Sequence, residues 1–206
     1  MRTDYTLISI EEIEKRLKEC LNEERFEHSL GVEYTSACLA FIHGCDITDA
    51  RIAGLLHDCA KCIPHEDQIK IMEKAGQPPL QEELDNHSLL HSKCGAIIAH
   101  DKYEIEDDNI LNAIRFHTVG RPNMSLLEKI VYIADFIEPT RKELEIMERV
   151  RKAAFIDIDQ ALLWIMESVT EYVRKKGLEP APSSVAAYEY YKNQIKVNED
   201  LRNGRI

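Results

Sequence analysis

The sequence predicts an all-α fold, a helical bundle packed around a central polar site. Three observations carry that reading. Apolar residues recur at helical spacing along nearly the whole chain, as in Ile10, Ile13, Leu17 and Leu21. Cap and stop residues bracket the periodic segments, with Ser or Asp before them and Gly or Pro after. No segment alternates apolar and polar residues over the length of a strand, and no internal repeat or low-complexity stretch interrupts the pattern.

Ser9 opens the first helix, with Glu12 three residues on as a capping box and Ile8 facing Ile13 as a staple. A second helix is expected over 27–43, stopped by Gly44, and a third over 49–61, followed by Pro64. A fourth covers 65–75 and ends at Gly76. After a polar stretch come helices over 88–100 and 107–119, the latter closed by Gly120-Arg121-Pro122. Ser125 and Glu128 form a second capping box, for a helix that runs to Ile137 and is closed by Pro139. Helices over 143–155 and 158–176 follow, with Gly177 as C-cap. Pro180-Ala181-Pro182-Ser183-Ser184 reads as a loop, and the tail from Val185 as helix. Trp164 and Met166 lie on a helical face that suits either core or interface.

A chain of 206 residues suits one domain, with a core over about 10–177 and a loop and tail over about 178–206. Its 44% apolar and 31% charged residues are ordinary for a globular protein. The net charge of −11 argues against a nucleic-acid partner, whose backbone calls for Lys and Arg. A small anion in a local cationic pocket remains compatible with it. No run of about 18 apolar residues occurs, so no membrane partner is expected. The charged segment Met1 to Arg16 does not read as a signal peptide. Cytoplasmic residence is therefore expected, with the six cysteines as reduced thiols. Cys59-Ala60-Lys61-Cys62 is a lone C-x-x-C, without the second pair of a zinc ribbon or the βαβ setting of a redox motif, and reads as structural.

The pair His57-Asp58 follows the apolar run Ala53-Gly54-Leu55-Leu56. A carboxylate in such surroundings needs a partner or a metal ion. His28, His91, His117 and Asp135 can complete a site, and Arg25, Lys61 and Arg141 are interleaved with them. On the expected third helix, Lys61 lies four residues after His57 and three after Asp58, so the three crowd one face. Nitrogen and oxygen ligands without thiolate suit iron, manganese, cobalt or zinc. Cations around such an ion suit phosphate hydrolysis. The spacing fits neither H-E-x-x-H, nor a Walker A loop, nor a G-x-S-x-G elbow. His43, His65 and His100 sit at helix ends or in polar runs and read as structural, as does His87; Lys102 to Asp108 reads as a solvated turn.

The order His28, His57-Asp58, Asp135 resembles the HD-domain phosphohydrolases. Arg25 to Val32, His57 to Lys61, Leu90 to Ala96, Ile114 to Pro122 and Leu126 to Pro139 are similar to segments of the bacterial YqeK family within that group, over about residues 10–190. The resemblance implies an HD-domain helical bundle around a central metal site. It implies symmetrical hydrolysis of diadenosine tetraphosphate to two ADP by attack of a metal-activated water. The metal would be divalent or trivalent, iron first, with manganese or cobalt as alternatives. His28, His57, Asp58 and Asp135 would ligate it. Arg25, Lys61, His91, His117, Thr118 and Arg141 would line the polyphosphate, with His28, Asp58 and Asp135 also touching substrate, and Asp58, Lys61, His91 and His117 would carry catalysis. His91 or His117 would alternatively hold a second ion or protonate the leaving group. Ala181, Pro182, Ser183, Ser184, Val185 and Ala186 fall where the family closes over the nucleoside. The partners implied are a dinucleoside polyphosphate and ADP, with a homodimer as an assembly the helical surface would allow. Cys59 and Lys93-Cys94 depart from the family pattern without removing a ligand, and Cys59 suggests oxidative sensitivity beside the metal. Two rival readings stay open: an HD phosphohydrolase of another nucleotide (a nucleoside monophosphate, a deoxynucleotide or a guanosine alarmone), and a non-catalytic nucleotide sensor.

Overall fold

The computed structural model describes residues 8–142 and 144–202, and the regular elements among them are all helical. In chain order they are α1 (Ile10–Cys20), α2 (Glu23–His43), α3 (Ile47–Leu56), α4 (His65–Lys74), α5 (Gln81–Asp85), a 3₁₀ turn (His87–Leu89), α6 (Leu90–Tyr103), α7 (Asp108–Phe116), α8 (Leu126–Ile137), α9 (Met147–Ala154), α10 (Ile158–Lys175) and α11 (Pro182–Arg202).

The bundle is built on α2, which lies against α3 and α8, while α7 packs on α3, α6 and α8. Leu39, Ile52, Leu55, Leu56, Leu90, Ile114 and Leu127 are fully buried between these helices. α3 approaches α2 closely at Gly54. A Cβ there would meet Ser36 Oγ at 2.9 Å and both Glu33 Cα and Val32 O at 3.1 Å. Outside this layer α10 covers α8 and α9, and α11 covers α10. Met166 faces the core and Trp164 is half-buried, with the Arg149 guanidinium 3.4 Å from its ring centroid.

Ser125 and Glu128 form the expected capping box. Ser9 caps α1 as expected, but Glu12 turns to Arg16 (2.8 Å). α2 starts four residues early because the Asn22 side chain accepts from Arg25 N at 2.9 Å. α5 was not expected; five residues are too short for an apolar period to show.

Three corrections concern the site, one being that the helix expected over 107–119 ends at Phe116 and leaves His117 and Thr118 in a turn. The third helix ends at Leu56, not Lys61, so His57, Asp58 and Lys61 occupy a turn. The segment 182–184 is not loop: Pro182 is the first residue of α11, a position where its missing N–H and fixed φ cost nothing. The expected start of the ninth helix at Glu143 lies outside the described residues; that helix begins at Met147. No helix of the described residues is long and apolar enough to cross a membrane, and all six cysteines are thiols outside any disulfide.

Candidate metal centre

Six side chains from five elements meet in one buried cluster. His28 comes from α2, His57 and Asp58 from the turn after α3, His91 from α6, His117 from just beyond α7, and Asp135 from α8. The turn after α3 is held by i→i+3 bonds, Cys59 N to Leu56 O (3.0 Å), Lys61 N to Asp58 O (2.9 Å) and Ile63 N to Ala60 O (3.0 Å). Gln68 of α4 fixes its far end, its Nε2 donating to Ala60 O (3.3 Å) and Ile63 O (2.7 Å). The side-chain directions at 57, 58 and 61 are therefore set by this turn and not by helical spacing.

Hydrogen bonds at Nδ1 decide which way each imidazole faces. His57 Nδ1 donates to Gly54 O (2.6 Å), His91 Nδ1 to Ser88 O (2.7 Å), His117 Nδ1 to Ile114 O (2.7 Å) and His28 Nδ1 to Glu138 Oε1 (2.9 Å). All four Nε2 atoms then turn inward. His28 and His57 Nε2 are 3.2 Å apart, as are His91 and His117 Nε2. Each contact sets two ring nitrogens against each other, and at most one of each pair can carry a proton.

The carboxylates sit among these nitrogens. Asp58 Oδ2 is 3.5 Å from His57 Nε2 and 3.9 Å from His28 Nε2, while its Oδ1 is 3.2 Å from His91 Nε2 and 3.7 Å from His117 Nε2. Asp135 Oδ1 is 3.0 Å from His28 Nε2 and 3.7 Å from His57 Nε2. Burial works against the charge of Asp58, but His57, with His117 and His91, holds its carboxyl well below the usual range. Asp135 is likewise lowered, burial being outweighed by His28, His57 and Arg141. Burial pushes His91 down to about 4, so its neutral form is favoured.

This donor set fits a metal ion. Three overlapping triads, His28/His57/Asp58, His57/His117/Asp135 and Asp58/His91/His117, each bring their ligand atoms within 4.8 Å of one another. Asp58 Oδ1 is buried and has no hydrogen-bond donor, an expensive state for a carboxylate oxygen unless a cation satisfies it. No thiolate takes part: the Cys59 Sγ points to Gly95 O (3.4 Å), and burial pushes its thiol pKa up. The expected oxidative sensitivity at Cys59 is thus contradicted by a buried, protonated thiol.

Three cations surround the cluster. Arg25 Nη1 donates to Asp58 Oδ2 (2.6 Å), Arg141 donates to Asp135 through its Nη2, and Lys61 Nζ lies 3.2 Å from both ring nitrogens of His91. Burial lowers the pKa of Lys61, with Asp58 opposing the shift. The Thr118 hydroxyl is 3.3 Å from His91 Nε2 and 3.2 Å from His117 Nε2, and the same residue lines a cavity of about 1050 Å³. Phe136, Ile146, Arg149, Val169 and Tyr172 contribute to its walls. Of the segment 181–186, Ala181 and Ser184 line this cavity. Ser183 is turned to Glu82, which accepts from its N (3.0 Å) and its Oγ. Pro182, Val185 and Ala186 lie on the first turn of α11, outside the cavity lining.

The histidines read as structural stay outside the cluster. His43 bonds Ala154 O at 2.6 Å, His65 and His87 stack edge to face at 5.3 Å, and His100 pairs with exposed Asp101. Sequence reasoning gave no role to Glu138 or Gln68. The signal for Glu138 was an acid wedged between the end of an apolar helix and a proline; for Gln68 there was none.

The family model of the HD domain matches residues 25–140. The chain is 39% identical, over 84% of its length and 91% of the relative's, to the symmetrical bis(5'-nucleosyl)-tetraphosphatase of Halalkalibacterium halodurans. It is 37% identical to the protein of the same name from Bacillus subtilis, over 84% of this chain and 92% of that one. The crystal structure of a Clostridium acetobutylicum protein, described as a predicted HD superfamily hydrolase involved in NAD metabolism, is similar with a TM-score of 0.87. The two are 44% identical, and the match covers 91% of this chain and 98% of that one.

Proposed function

This chain belongs to the HD-domain family and within it to the YqeK hydrolases, and on that premise we propose that it splits diadenosine tetraphosphate symmetrically into two ADP. The observation that carries the reading is the gathering of four imidazole Nε2 atoms and two carboxylates into overlapping triads of one buried cluster, with three cations at its rim. His28, His57, Asp58 and Asp135 would hold the ion, and Asp58, His91 and His117 would offer a second position that shares Asp58. Iron is the metal of this reading, with manganese and cobalt as substitutes. When bound, the ion supplies Lewis acidity, acidifying water and polarising a phosphoryl oxygen.

The side chains of the protein do the rest. Arg25 and Arg141 each anchor one end of the guanidinium on a ligand carboxylate and present the remaining N–H groups to phosphate oxygens. Lys61 brings a third positive charge over His91, where negative charge shifts toward the leaving phosphate. Thr118 joins the centre to the cavity, in which one adenosine is seated between apolar walls. In this reading the protein is cytoplasmic, one domain, and a homodimer.

The test is anion-exchange analysis of products after incubating anaerobically purified protein with diadenosine tetraphosphate and iron, manganese or cobalt. ADP alone is expected. AMP with ATP would refute the placement of the phosphate chain, and no product with any of the metals would refute the reading. His57→Ala and Asp58→Ala are expected to lose both metal and turnover; activity in a metal-free variant would refute the metal's role.

A further inference from the structure

Three of the four inward-facing histidines give their Nδ1 proton to a backbone carbonyl. His28 alone gives it to a carboxylate, that of Glu138, which is fully buried. A buried carboxylate is costly unless its oxygens are held. Here Thr140 holds both: its hydroxyl donates to Oε1 and its backbone N to Oε2, each at 2.6 Å. Opposite this carboxylate, α2 carries Gly31. A Cβ at that position would lie 2.5 Å from Glu138 Oε2 and 3.2 Å from Cδ. The carboxylate thus occupies a notch that only the absence of a side chain at 31 leaves open.

We propose that Glu138 is a positioning residue for the metal centre, and that Gly31 and Thr140 form the seat that holds it against His28. A carboxylate behind an imidazole ligand fixes the ring's tautomer and orientation and raises the basicity of the far nitrogen. His28 Nε2 is the nitrogen that faces His57 and Asp135. Glu138 therefore makes His28 the strongest imidazole donor of the four. The inference rests on the metal-centre reading above, and it accounts for an acid buried at the end of α8.

A merely structural role would make Glu138 a pin between α8 and α2. Gly31→Ala separates the two roles. Within a helix Ala is favoured over Gly, and the obstructing atom is the free end of a side chain, so a pin would give way and leave the metal unaffected. As a seat, the new methyl group pushes the carboxylate off His28 without altering Glu138 itself.

The experiment strips wild type, Glu138→Gln, Gly31→Ala and the double variant with a chelator. Each is then titrated with Co(II) and with Mn(II) against a chromophoric competitor. Metal binding about 10–100-fold weaker is expected in both single variants, with a changed visible spectrum of the Co(II) forms and unchanged circular dichroism. The double variant is expected to bind no more weakly than the weaker single, because both changes break one contact. Dissociation constants within about twofold of wild type in the single variants would overturn the proposal while the metal reading stands. Failure of the wild type to bind either ion would overturn the metal reading, and this inference with it. Should Glu138→Gln not fold, Gly31→Ala decides.

Discussion

Replacing Gly54 by Ala tests how tightly the fold sets the metal centre. The added Cβ would meet Ser36 Oγ at 2.9 Å, and Glu33 Cα and Val32 O at 3.1 Å. The Ser36 hydroxyl has no hydrogen-bond partner and can rotate away. The two backbone atoms cannot. Ordinary contact begins at 3.4 Å, so α3 must retreat from α2 by about 0.3 Å, the difference between 3.4 and 3.1. Overpacking of this kind costs about 1–3 kcal/mol, and the better helix propensity of Ala offsets about 1 kcal/mol of it. A net loss of about 0–2 kcal/mol corresponds to a Tm lower by up to about 8 °C for a chain of this size. Function should suffer through His57, whose ring is tied to Gly54 O at 2.6 Å and moves with α3, away from His28 on α2. With 1 Å of misplacement worth about 10²-fold, a shift of 0.3 Å costs about fourfold in turnover. The assays are thermal denaturation and product formation from diadenosine tetraphosphate at saturating metal. A variant with wild-type turnover and unchanged or raised Tm would refute the argument that the contact between α2 and α3 fixes the spacing of the two imidazoles.

Other expectations follow from the same geometry. In native protein a maleimide should label the exposed Cys20, Cys38 and Cys62 and spare Cys59 and Cys94, because burial raises both thiols, Cys94 to about 11; rapid loss of Cys59 in peptide mapping would contradict this. The folded pKa of His91, about 4, lies below its ordinary 6.5, so the unfolded chain takes up the proton first. Its contribution to stability is complete above pH about 6.5 and disappears as pH falls toward about 4; melts of chelator-treated protein should show a decline that is shallower in His91→Gln, and equal slopes would rule the assignment out. Gln68→Ala removes the donor for two carbonyls of the turn carrying His57 and Asp58. A loss of about 1–3 kcal/mol in denaturant melts is expected, the cost of leaving buried acceptors unmet, and an unchanged midpoint would show that the turn holds itself.

Much of this fold is readable from short-range chemistry. Ser125 with Glu128, Gly44 after His43 and Pro139 after Glu138 mark helix ends where the local backbone alone decides the outcome. The errors lie where distant residues decide. Nothing between 57 and 61 forbids a helix; the structure has a turn there whose far end is bonded by Gln68, a residue of the next helix. Pro182 was read as a breaker although the same residue suits the first turn of a helix, and only Glu82, 101 positions away from Ser183, shows that α11 is anchored there. The ligand types were legible because acids and imidazoles near apolar runs are rare, and His28, His57, Asp58, His91, His117 and Asp135 all meet. The residue behind His28 was not, because a glutamate's role depends on what stands across from it, here a glycine 107 residues earlier by number, Gly31 against Glu138.

The bond between Glu82 and Ser183 has a consequence for how a polyphosphate would lie. The N-terminal end of a helix ordinarily attracts phosphate. At α11 that end is plugged from within by the Glu82 carboxylate, and the wall of the adjoining cavity mixes Glu145, Glu167, Glu171 and Glu179 with Arg149 and Lys175. Arg25, Lys61 and Arg141 gather instead around Asp58, His91 and Asp135. The N-terminal end of α11 is thereby closed to phosphate, while the cations of the metal centre stand across Thr118 from the cavity. A polyphosphate would then find its counter-charges at Arg25, Lys61 and Arg141 and not at the helix end.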